Sequence, residues 1–186
     1  MKKTATLKFQ SSIFIFIIFA GIFIFIFFSF AKVPMDSDFA NLTLEADEML
    51  HGNFFLKGWN LTGATFTFTE IPFYMIGVLI FGVDPKAYIH ANSLMTTLTI
   101  LFGYLLLPSK RSRLIDAVYF ALTVFPNHFM LQSLRAHTGV FFISMVGFYL
   151  IKKMYENHSE GNAESKGLIA GYVLILALGT SSDVFI

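Results

Sequence analysis

The chain contains no cysteine, so a disulfide, a thiolate nucleophile and a cysteine-held metal are all excluded. Charge is nearly as scarce. Asp, Glu, Lys and Arg make up 13% of 186 residues, against about a quarter in soluble domains. The formal net charge is +1, and no basic block interleaves with aromatics, so nucleic acid is not an expected partner. Walker-type and dinucleotide-binding glycine patterns are missing, as is a nucleophile elbow. In place of these stands apolar bulk: 55% hydrophobic residues, 24 of all residues being Phe, and a mean hydropathy of +0.67. The expected fold is an all-α, polytopic transmembrane bundle forming one domain over residues 1–186.

A helix needs about 20 apolar residues to cross the hydrocarbon. Ser12 to Ala31 meets that, behind a tail carrying Lys2, Lys3 and Lys8. It exceeds a usual signal-peptide core, and "FSFAKVP" has a weak cleavage pattern, so it reads as a retained span with a cytoplasmic amino terminus. The run from Ile71 to Gly82 is too short for a comfortable crossing, and charge decides its place. If it stays outside as a membrane-surface helix, further spans fall near 88–107, 114–126, 138–151 and 167–180. Lys110, Arg111, Arg113, Lys152, Lys153 and Lys166 are then all cytoplasmic. If it crosses, "PSKRSR" and "KKMYENHSEGNAESK" go outside, against the positive-inside tendency. The first arrangement leaves a long outer loop, 32–87, and a short outer turn around Asn127 to His137. The chain closes on "GLIAGYVLILALGTSSDVFI", and the expectation is the amino-terminal part of a longer protein.

Within the outer loop, "FANLTLEADEMLHGN" places Leu42, Ala46, Met49 and Leu50 at helical spacing. This predicts an amphipathic helix along the outer leaflet, with Asp38 as N-cap and Gly52 as terminator. Trp59 reads as an interfacial anchor. "ATFTFTE" alternates with period two and predicts an extended piece.

The acids of "AKVPMDSDFAN" stand where the chain leaves the first apolar run. Asp36 and Asp38 can share a divalent cation through hard oxygen ligands. Alternatively, one of them acts as a general base, its pKa raised by a like charge and partial desolvation. The plain reading is a solvated cap for the helix that follows, although two acids at the end of a span are costly for a cap alone. In "NHFMLQSLRAH", His128, Gln132 and Arg135 share one face if the stretch is helical. Arg135 suits phosphate oxygens, or it snorkels to water. Asp183 and Asp116 read as boundary and structural residues, and His51 and His90 lack partners at metal-ligand spacing. The sequons at Asn41, Asn60 and Asn157 matter only in a glycosylating cell.

A cytoplasmic amino terminus, one span, acids at the start of a long outer loop and surface helices before the next span together resemble the amino-terminal part of the GT-C membrane glycosyltransferases. These include protein O-mannosyltransferases and aminoarabinose-type lipid A transferases. "MDSDFANLTLEADEMLHGNFFLKGWNLTG" carries the resemblance, echoed in "LQSLRAH". It implies a sugar donor on a polyprenyl phosphate, an acceptor on the outer face of a bacterial cell membrane, and membrane lipid as a partner. It also implies Asp36 or Asp38 as the catalytic carboxylate, with Arg135, His128 and His137 binding substrate. The second acidic motif of some members is missing, since Arg135 and His137 stand at that turn. No metal ligand set is assigned, and a divalent cation stays open. Two other classes compete, a non-enzymatic membrane scaffold and a transporter of a lipid-linked substrate. The near absence of charge in the spans speaks against coupled ion transport.

Overall fold

The computed structural model describes residues 2–60, 66–108, 110–124, 137–161 and 165–183, with side chains from residue 15 onward except at 124, 182 and 183. Seven helices and no strand are found among these residues: α1 Lys2–Phe30, α2 Ser37–Leu50, α3 Ile71–Phe81, α4 Pro85–Leu106, α5 Arg113–Val124, α6 Thr138–Ser159 and α7 Lys166–Asp183. Each expected span coincides with a helix wherever it is described. Among the described residues, α4 alone is long and apolar enough to cross a membrane, while Ile15–Phe30, Ile71–Phe81 and Lys166–Ser181 are shorter apolar helices.

The trunk of the molecule is α4, which packs against α1, α2, α3 and α6, with α7 leaning on α6. The α3–α4 connection is short. Asp84 caps α4 by accepting from the Lys86 N–H at 2.8 Å, and Pro85 occupies the first turn, where its missing N–H costs nothing. The two helices therefore run antiparallel and in close contact. A side chain at Gly77 would collide with the Ala87 carbonyl, so only glycine permits this approach. A helix, α3, stands where the membrane-surface helix is expected, and it lies lengthwise on the first half of α4.

The α2 helix follows its sequence pattern, burying Phe39, Leu42, Thr43, Ala46 and Met49. Its termination is a Schellman motif: Asn53 N–H reaches the Glu48 carbonyl at 3.0 Å and Gly52 N–H reaches Met49 at 3.1 Å, with Gly52 at φ +95°. The buried face of α2 packs on α3 and α4. Beyond it, the Asn53 side chain bonds both the backbone N–H of Lys57 and the Glu48 carboxylate, each at 2.9 Å, and so holds a tight turn. That turn leaves Phe54 and Phe55 exposed while Trp59 packs partly against the core.

One local expectation fails. Where described, "ATFTFTE" is a turn, not an extended piece. The Phe66 carbonyl accepts from the N–H groups of Thr69, Glu70 and Ile71, and no strand stands among the described residues to pair with it.

Candidate functional site

The exit of α1 is fixed by α4. The Tyr88 hydroxyl donates to the Val33 carbonyl at 2.6 Å, and its ring stacks on Phe39 at 5.3 Å between centroids. These contacts set the start of α2 beside the first turn of α4. Asp36, not Asp38, is the N-cap. Its backbone is extended, and Oδ1 accepts from the N–H groups of Asp38 at 3.1 Å and Phe39 at 3.2 Å. Because Ser37 is already helical, Asp38 falls in the first turn, where its charge complements the helix dipole. Both acids are exposed.

A third carboxylate lies deeper. Glu70, only 1% exposed, precedes α3 but forms no side-chain cap to it. It serves α6 instead: Gly139 N–H donates to Oε1 at 3.1 Å, and the Thr69 hydroxyl donates to Oε2. One turn along α3, the buried Tyr74 hydroxyl accepts from Asn92 Nδ2 at 2.9 Å, and the same amide donates to the Tyr88 carbonyl at 3.1 Å. Burial holds the Tyr74 hydroxyl well above its ordinary pKa. The Asn92 bond opposes that rise, while the charges of Glu70 and Asp36 add to it. The fields of both acids therefore meet at one phenol.

His137 stands at the N-cap of α6 without a side-chain capping bond, exposed, its ring 5.8 Å from Phe66. It shares the Glu70 end of α6. His128 and Arg135 lie outside the described residues, as does Gln132. On α2, burial pushes Glu45 up to about 7, into the range useful for proton transfer. Among the described residues, no group of three or more His, Asp or Glu could hold a metal ion.

Glu70, Tyr74 and Asn92 carry the polar core of this end, and sequence reasoning does not single them out. The one signal available was position: Glu70 abuts the apolar run "IPFYMIGVLIF", where a carboxylate is costly unless it is bonded. No protein family profile, curated protein or solved structure matches the chain.

Proposed function

We propose that this chain is a multi-pass membrane glycosyltransferase of GT-C type, moving a sugar from a polyprenyl-phosphate donor to an acceptor at the outer face. The observation that carries the reading is the placement of Asp36. It lies just beyond the apolar end of α1, on the same end of the bundle as the buried Glu70–Tyr74–Asn92 group. The membrane setting is supported by the outward faces. Phe16 and Phe28 on α1, Leu122 on α5, Phe148 on α6 and Val173 on α7 are all large, apolar and exposed, a pattern that marks contact with lipid or partner.

In the proposed reaction, the carboxylate of Asp36 or Asp38 takes the proton of an acceptor hydroxyl or amine. The acceptor atom bonds to the anomeric carbon as the bond from that carbon to the phosphate oxygen breaks, and polyprenyl phosphate departs with the electron pair. Arg135 is assigned to the leaving phosphate on its chemistry. The test is sugar transfer from a radiolabelled polyprenyl-phosphate donor by the reconstituted protein. Asp36→Asn keeps the capping oxygen but not the base, so transfer falls by roughly a hundredfold or more if Asp36 is the base. Asp38→Asn gives the same loss if Asp38 is. Normal transfer by both variants removes the assignment.

A second reading, a non-enzymatic scaffold, is favoured by the two N–H groups that Asp36 Oδ1 already accepts, which is what an ordinary helix cap does. It predicts that Asp36→Asn changes nothing.

A further inference from the structure

An N-cap side chain ordinarily accepts from the N–H groups of its own helix's first turn. At α6 the cap comes from elsewhere. His137 holds the N-cap position without a side-chain capping bond, and it is exposed. The acceptor is Glu70 Oε1, which takes the N–H of Gly139, the second residue of α6, at 3.1 Å. Glu70 is itself the N-cap of α3, yet its side chain makes no cap to α3. One carboxylate thus serves a residue 69 positions away.

The contact is tight. A Cβ at Gly139 would stand 2.5 Å from the Thr69 carbonyl oxygen and 2.8 Å from the Glu70 carboxyl carbon. Thr69, Glu70 and Thr138 are each no more than 1% exposed, so water reaches the Gly139 N–H only if this joint opens. The turn on the α3 side is held in a costly conformation, with Phe66 at φ +48°. Its ring lies 5.8 Å from that of His137.

The joint is also tied to the exit of α1. Tyr74, one turn beyond Glu70, bonds Asn92 of α4. Tyr88, one turn before Asn92, holds the Val33 carbonyl and stacks on Phe39 at the start of α2. Glu70 therefore fixes where His137 stands relative to the segment that carries Asp36.

We infer that Glu70 is a positioning residue of the proposed site: by capping α6 in place of His137, it leaves that imidazole out of the cap and sets it to donate to the phosphate of the sugar donor. This role rests on the glycosyltransferase reading above; the joint between α3 and α6 does not.

Transfer by the reconstituted full chain is measured against the concentration of polyprenyl-phosphate sugar. Glu70→Ala leaves the buried Gly139 N–H without its acceptor, so the donor KM should rise about tenfold while kcat stays within about twofold. Glu70→Gln keeps an oxygen for that N–H and should hold KM within about twofold of the parent. If Glu70→Ala does not fold, Glu70→Asp, one methylene short of Gly139, should raise KM about fivefold. An unchanged KM in Glu70→Ala or Glu70→Asp overturns the inference. A loss of kcat in Glu70→Gln at unchanged KM also overturns it, because the carboxylate then takes part in the reaction itself.

A second arm needs no activity. Thr138→Cys, buried at the first residue of α6, is the single thiol of an otherwise cysteine-free chain. Its labelling by a maleimide in nanodiscs should quicken about tenfold with Glu70→Ala and stay slow with Glu70→Gln. Equal labelling in all three backgrounds overturns the joint. Quickened labelling with no transfer by any variant, parent included, overturns the donor role and the glycosyltransferase reading together, and the joint stands.

Discussion

From Ala87 to Thr97, α4 is buried at nearly every position, including Asn92, Ser93, Thr96 and Thr97; beyond Thr97 only Ile100 is buried. The first half is enclosed by α2, α3 and the end of α1, so its polar groups must find partners inside the protein. Tyr88, Asn92 Nδ2 and Ser93 do so with Val33, Tyr74 and Ile89, whereas Asn92 Oδ1 and Thr96 Oγ1 have no partner among the described residues. In the second half the surroundings are sparse. No described residue of α5 or α7 is buried, and Leu114, Leu122, Val173 and Leu174 are large apolar side chains exposed there. One helix thus passes from a largely bonded, protein-enclosed environment to one whose neighbours leave large apolar side chains exposed. The candidate chemistry belongs to the enclosed half.

Substitutions that strike the two halves unequally test that contrast. The largest effect is expected for Tyr74→Ala, which removes a fully buried ring and leaves the Asn92 amide only the Tyr88 carbonyl. It should cost about 3–5 kcal/mol in thermal unfolding of the reconstituted protein, and a cost near zero would mean that the enclosed half is not packed as described. Asp36→Ala comes next, losing the α2 cap for about 1 kcal/mol, whereas Asp36→Asn should lose much less. Equal losses would remove the capping role.

Glu45 offers a pH-dependent test. Burial moves it from its ordinary 4.5 up to about 7, so between those values the folded protein holds a proton that the unfolded chain has released. Its contribution to stability is therefore present at low pH and is lost as pH rises from 4.5 toward 7. Melting temperatures across that window should decline in the parent and flatten in Glu45→Gln; parallel curves would contradict the assignment. The smallest effect belongs to the sparse half: Val173→Ala, at an exposed site of α7, should shift stability by no more than about 0.5 kcal/mol.

The helices were legible because apolar spacing reports which face is covered. Leu42, Ala46 and Met49 marked the inner face of α2, and Gly52 marked its end. The cap was misread by two residues, Asp38 for Asp36, since composition does not say whether Ser37 turns helical. Of the polar core, only the cost of a carboxylate at Glu70 was legible. Glu70 meets Gly139 across 69 residues and Tyr74 meets Asn92 across 18, and periodicity carries no information on which buried polar atom answers another. Likewise "ATFTFTE" alternates like a strand, but alternation needs a pairing edge to become one.

The most direct measurement uses the absence of cysteine. Ser37→Cys, exposed at the first residue of α2, becomes the single thiol and is labelled in intact cells with a membrane-impermeant reagent, with and without polyprenyl-phosphate sugar. The account predicts labelling from outside that the lipid-linked sugar suppresses. Labelling indifferent to the sugar, or labelling that requires permeabilised cells, would contradict it.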